Sequence, residues 1–167
     1  AEPFSPGYRF RRAVDVVNSQ VVEGPHAQFP ARVCVTLPEL RTTANGGEVT
    51  DPEGDDIIFT ASDGITALAH ELESFDPATG ALVAWVRWPT LGSGARALLN
   101  YGNPAVTTFQ GNVSSGGVDG VWDTNFRGVW HLNETSGTAL FDSSRYSTPG
   151  TKLGETEPIS AAGQMGS

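Results

Sequence analysis

The chain has one cysteine, one lysine and one methionine in 167 residues, and no long apolar run. A lone thiol cannot build an intramolecular disulfide framework. Cys34 lies in Ala31-Arg32-Val33-Cys34-Val35-Thr36-Leu37, where Val33, Val35 and Leu37 share one face and the thiol takes the other. With no histidine beside it and no electropositive setting, it reads as a buried, inert thiol rather than a nucleophile. No stretch approaches the ~18 apolar residues of a membrane-spanning helix, so no membrane insertion by this segment is expected. Basic residues are scarce as well: 10 against 19 acidic, for a net charge of −9. Tracking a phosphate backbone needs a concentrated basic surface, so nucleic acid is excluded as a partner. The only cluster, Arg9, Arg11 and Arg12, reads as polar residues at the edge of a first strand. A 3.6-residue apolar period over ten positions is missing too, and with it any long helix.

Glycine, at 20 residues, and proline, at 11, are plentiful and punctuate short alternating segments. Strands are predicted over 8–17, 31–37, 56–60, 67–75, 81–88 and 95–101. Asp76-Pro77-Ala78-Thr79-Gly80 joins two of them as a hairpin, proline presetting one φ and glycine supplying a positive one. Residues 41–54 form an irregular connection. Strands every 8–12 residues point to an all-β fold, an antiparallel β-sandwich with jelly-roll-like character over about 8–109, with Phe59, Leu72, Val86 and Leu99 in its core. Residues 110–120 read as a linker. Residues 121–167 read as a partial second β module, with short strands at 129–132 and 139–142. Its Trp122, Phe126, Val129, Trp130, Leu132, Leu140 and Phe141 carry more apolar surface than a loose tail should show to water. Docking on another protomer is the favoured expectation, with docking on the first domain beside it.

Three groups of residues merit weighing as chemistry. His70-Glu71-Leu72-Glu73-Ser74 begins like a zinc-protease helix, but Ser74 stands where the second histidine is needed. Glu71, Glu73 and Asp76 loosely echo the acidic strand of lectin-fold glucanases, and residues two apart on a strand share a face. Asp76 precedes Pro77 in the turn, so catalysis is not expected and no catalytic residue is assigned. Asp51, Glu53, Asp55, Asp56 and Asp63 place hard oxygen ligands in a Gly/Pro loop where an irregular calcium site is conceivable, against the alternative of carboxylates capping loop amides. Apart from that calcium, no cofactor is expected.

The tryptophans are the candidate contact residues: Trp85, Trp88, Trp122 and Trp130. Trp85 and Trp88 lie on opposite faces of one strand, so at most one is fully in the core; the other is a candidate for stacking on a sugar ring or for a protein contact, with cover by a loop as the alternative. Trp122 and Trp130 also read as packing residues at the junction, with His131 a hydrogen-bonded neighbour. Asn112-Val113-Ser114 and Asn133-Glu134-Thr135 match glycosylation sequons, which matter only in a host that glycosylates exported asparagines. Ala1-Glu2-Pro3 fits the stub left by signal-peptide cleavage after a small residue, and a trimmed start equally.

Gly54-Asp55-Asp56-Ile57-Ile58-Phe59-Thr60-Ala61-Ser62-Asp63-Gly64, then 81–89, then Leu99-Asn100-Tyr101-Gly102-Asn103-Pro104, resemble in order the core signature of the bacterial domain of unknown function 2341. Gly120-Val121-Trp122-Asp123 and Gly128-Val129-Trp130-His131-Leu132-Asn133-Glu134 resemble the opening of a laminin-G/concanavalin-A-like lectin module, most of whose strands would be missing here. The resemblance implies large exported, multidomain bacterial proteins, some linked to ExbB/TolQ-type biopolymer transport proteins. It implies an extracellular or cell-surface address and a non-catalytic role in adhesion, scaffolding or glycan contact. Its partners would be surface glycans or other protein chains of the envelope. A subunit of an extracellular filament assembled by strand addition is the alternative, and a glycan-active enzyme a second one.

Overall fold

The computed structural model of the chain describes residues 7–17, 24–111 and 120–153. Among these residues the regular structure is antiparallel β, interrupted by two short 3-10 turns. The chain divides into two compact units, residues 1–121 and 122–167.

The first unit contains β1 (Phe10–Asp15), β2 (His26–Thr36), β3 (Ile58–Ala61), β4 (Ala67–Leu68), β5 (His70–Asp76), β6 (Ala81–Leu91) and β7 (Arg96–Tyr101). One sheet has the order β1-β7-β3-β4 and the other β2-β6-β5. Both supply one core: Phe59, Leu68, Ala97 and Leu99 from the first, Val33, Leu82, Ala84, Val86 and Trp88 from the second. β6 shows why. Leu82, Ala84, Val86 and Trp88 are buried while Val83, Trp85 and Arg87 between them are only partly so, the period-two signature of a strand with one face on a core. β7 differs: all of Ala97–Tyr101 is buried, so both of its faces are covered. Phe59, Val86 and Leu99 are core residues as expected, and Leu72 packs partly buried against them.

The hairpin at 76–80 forms as expected. The Asp76 carboxylate accepts from the Ala78 N–H at 2.8 Å and the Thr79 hydroxyl at 2.7 Å, and Gly80 has φ +74°. A side chain at Gly80 would meet the Leu37 carbonyl at 2.1 Å.

In the first unit three expectations need correction. The strand read over 67–75 is two strands in different sheets, β4 and β5, divided at Ala69. The Ala69 carbonyl accepts from the Arg87 N–H, so tertiary pairing overrides a continuous local alternation. β2 starts five residues before Ala31 and runs through Pro30, which an edge strand tolerates because one side of its backbone makes no ladder bond. Cys34 is exposed, not buried: the face opposite Val33 is the outer face of the sheet.

In the second unit, β8 (Ala139–Leu140) pairs antiparallel with β9 (Gly150–Thr151). Residues 129–132 form no strand. Leu132 sits at φ +58°, in the left-handed region, which breaks extended geometry. The Val129 N–H is taken by the Asp142 carboxylate at 2.8 Å instead of by a strand partner.

Candidate functional site

The outer face of the three-stranded sheet is built by register. Arg32 and Glu71 both lie opposite Trp85, on β2 and β5. A bulge between Leu72 and Ser74 inserts Glu73 as an extra residue, and bulges re-aim side chains. Glu73 accepts from the Trp85 indole N–H at 2.7 Å and pairs with Arg32 at 3.4 Å. The Arg32 and Glu73 side chains are 25% and 15% exposed, so this is a half-covered polar cluster. Beside it the Arg87 guanidinium donates to the Gly120 carbonyl at 3.1 Å. Glu71 and Glu73 thus do not follow simple two-residue alternation, and Glu73 is committed to an indole and a guanidinium. Trp88, on the opposite face, is 4% exposed. It borders a cleft of about 500 Å³ with Ala61, Ser62, Leu68, Pro89 and Thr90, but its buried Nε1 has no hydrogen-bond partner.

The acidic loop is engaged with its own backbone. Asp56 is fully buried. Its Oδ2 accepts from the Thr50 N–H at 2.9 Å, the Thr50 hydroxyl at 2.6 Å, and the Gly102 and Asn103 N–H groups, each at 3.1 Å. Its Oδ1 accepts from the Asp51 N–H at 3.2 Å. Asp51 in turn accepts from the N–H groups of Glu53 and Asp55 at 3.0 and 3.2 Å. Partial burial, with Asp51 and Asp56 nearby, pushes the Asp55 carboxyl above its ordinary value. Asp63 lies in the β3–β4 turn, where the Thr66 hydroxyl and the N–H groups of Ile65 and Thr66 hold its carboxyl below the usual range. Glu53 is exposed. Among the described residues no three histidine, cysteine, aspartate or glutamate side chains gather in a metal-holding group. Of the five acids considered for calcium, Asp51, Asp56 and Asp63 cap loop amides in this geometry.

His70, weighed in the sequence only as a zinc ligand, occupies the centre of the first unit. It is 1% exposed and packs edge-on to Phe59 and Phe109, ring centroids 5.4 Å away in each case. Nδ1 lies 3.0 Å from the Leu68 carbonyl and Nε2 3.1 Å from the Ile57 carbonyl. No sequence signal marks this role, since the partners are backbone atoms from distant positions.

In the second unit, Trp122 is buried, edge-on to Phe126 at 5.2 Å and beside His131 at 6.1 Å. Asp142 is the organising carboxylate. It accepts from the N–H groups of Val129, Ser144 and Thr148 and from the Ser144 hydroxyl. Desolvation pushes its pKa up, but these donors outweigh that and pull it down to about 2. Trp130 is 43% exposed, yet its position is defined. Its indole N–H donates to the Thr148 carbonyl at 3.3 Å, and its ring lies so close to Gly128 that a Cβ there would meet it at 2.2 Å. Leu132 and Phe141 are 64% and 71% exposed.

A family model described as a domain of unknown function, DUF2341, matches residues 53–144, more than half of the chain. The match takes in β3 to β7 and extends into the second unit as far as Ser144. No curated protein and no solved structure matches.

Proposed function

Starting from a chain that belongs to the DUF2341 family, we propose a non-catalytic contact module of the bacterial exterior, serving adhesion or scaffolding by binding a surface glycan or an envelope protein. The observation that carries this reading is the surface of the second unit. Trp130 is held in place by a hydrogen bond and a glycine contact while almost half of it meets solvent. Leu132, in a left-handed backbone conformation that costs about 1–3 kcal/mol, also points most of its side chain outward. Strain and apolar exposure together at one place are unfavourable for the isolated unit, which is what a contact surface requires. A fixed aromatic also loses little freedom on binding, so more of the contact energy appears as affinity.

Export to the cell surface and a lectin-like character for residues 121–167 belong to this proposal. So does association with an ExbB/TolQ-type transport system. The second reading, a filament subunit joined by strand addition, is favoured by one observation. β8 and β9 form a two-stranded sheet to which no third strand is added among the described residues, and such pairs are marginal alone. A glycan array and a pull-down against envelope proteins, each with the full chain and with Trp130→Ala and Leu132→Asp, test the main reading. Binding weakened at least tenfold by either change supports it. Binding indifferent to both changes, or turnover of a glycan, refutes it. Size-exclusion chromatography and electron microscopy decide the filament alternative.

A further inference from the structure

We propose that His70 is an acid-operated latch that holds the 109–111 strap against the first β unit. The ring lies between Phe59 of β3 and Phe109 of the strap. The His70 backbone N–H donates to the Gly111 carbonyl at 3.0 Å, so one residue grips the strap by backbone and by ring. The fit is tight. A Cβ on Gly111 would come within 2.1 Å of both the His70 carbonyl oxygen and the Phe109 ring.

The chemistry of the cage follows from its partners. Both ring nitrogens face carbonyl oxygens, which accept only. A neutral imidazole has one N–H, so it serves Leu68 or Ile57 and turns a bare nitrogen to the other. A second proton completes both bonds but places a cation on a residue only 1% exposed, away from bulk solvent. No carboxylate compensates it. β3 and β4 bring only apolar side chains and Thr60, and the strap brings Phe109 and Gln110. Tyr8, which borders the same cavity of about 160 Å³, has its phenol pushed up to about 12 and stays neutral. Asp56, just before Ile57, is occupied by the donors of Thr50, Asp51, Gly102 and Asn103. Glu71, the next residue on β5, lies on the outer face opposite Trp85. Val86, paired with His70 on β6, is apolar, and its neighbours Trp85 and Arg87 lie on the outer face.

Burial therefore holds the imidazole below the ordinary histidine value, and the two carbonyls pull part of the way back. A group whose pKa is lower in the closed state favours the open state once protonated. The latch is fully closed above about 6.5, the open-state histidine value, and loosens as pH falls from there toward the closed-state value. The way out is the strap. Phe109 is 37% exposed, whereas Phe59 and Leu68 on the other side are core.

The test is amide hydrogen exchange on the full chain between pH 8 and pH 5, corrected for intrinsic rates, together with NMR titration of the ring. The expected result is loss of protection at the His70 N–H, approaching tenfold per pH unit below about 6.5 and levelling off where the ring titrates. Protection of Leu82 and Leu99 should be unchanged. His70→Phe should flatten the response, and the unmodified chain decides the question if that variant does not fold. Three results would overturn the latch. The ring could take its proton with His70 protection intact, His70 and the core could lose protection together, or folded His70→Phe could keep the response.

Discussion

Replacing Asp56 is the sharpest test of how the first unit is tied together. One fully buried carboxylate receives five donors from two separate stretches, Thr50 with Asp51 and Gly102 with Asn103. In Asp56→Ala all five lose their acceptor. Thr50 and Asp51 are half-buried and can turn to water, but Gly102 and Asn103 are buried and cannot. Each unsatisfied buried donor costs about 1–3 kcal/mol, so the expected loss is about 3–5 kcal/mol, a large part of a typical domain stability of about 5–15 kcal/mol. Asp56→Asn makes the reasoning specific. Four of the five donors converge on Oδ2 and one on Oδ1. An amide that puts its oxygen at the Oδ2 position keeps four and sets its NH2 against the Asp51 N–H alone. Its cost should be nearer 1–2 kcal/mol, from the weaker neutral acceptor and one mismatched donor. Urea unfolding followed by the β7 amide signals measures both variants. A loss below 1 kcal/mol for alanine, or an asparagine variant as damaged as the alanine one, would show that the carboxylate is not the tie the geometry describes.

Other consequences follow from single contacts. Gly111→Ala should free the strap at every pH, because the added Cβ meets the His70 carbonyl and the Phe109 ring; protected His70 exchange in that variant would contradict it. The Asp142 pKa is depressed, so its stabilisation of the second unit is present above the ordinary carboxylate value of 3.8 and is lost as pH falls through about 2. The Val129, Ser144 and Thr148 amide shifts should therefore hold steady to pH 4 and move together below it. Leu99→Ala should cost about 2–5 kcal/mol, since Leu99 is 1% exposed in the central strand; a change within 0.5 kcal/mol would refute its place in the core. Calcium at millimolar concentration should leave the melting temperature unchanged. A rise reversed by chelator would mean that the acidic loop rearranges around an ion.

Where side-chain pattern and tertiary partner agree, the fold was readable. β6 alternates because one face meets the core, and the 76–80 turn carries aspartate, proline and glycine where the geometry uses them. The errors sit where a distant backbone decides. Residues 67–75 alternate as one strand would, yet Ala69 changes sheets because Arg87 claims its carbonyl. Residues 129–132 are mostly apolar and β-prone, but Asp142, thirteen residues beyond Val129, ties that residue into a loop and Leu132 turns left-handed. Cys34 was placed on the right face of its strand, but nothing in 31–37 says that this face is the outer one.

The candidate site was less legible than the fold for a related reason: a residue type announces what a side chain can do, not whether a backbone has already engaged it. Five acids in a glycine-rich stretch look like ligands until three of them, Asp51, Asp56 and Asp63, are traced to loop amides. Two glutamates on one strand look like a catalytic pair until the bulge at Glu73 turns one of them to Trp85 and Arg32. The tryptophans divide on the same ground. Trp88 and Trp122 are enclosed, and Trp85 is partly enclosed and hydrogen-bonded to Glu73. Trp130 alone of the four has its polar atom satisfied and a large part of its ring open to solvent. An indole whose N–H is already bonded has only its π-face and apolar edge left to offer, so a partner at Trp130 must supply an apolar face or a cation: the C–H side of a sugar ring, an aliphatic side chain, or an ammonium or guanidinium group over the ring. An anion gains nothing there that water does not already provide, because the one N–H donor is taken by the Thr148 carbonyl.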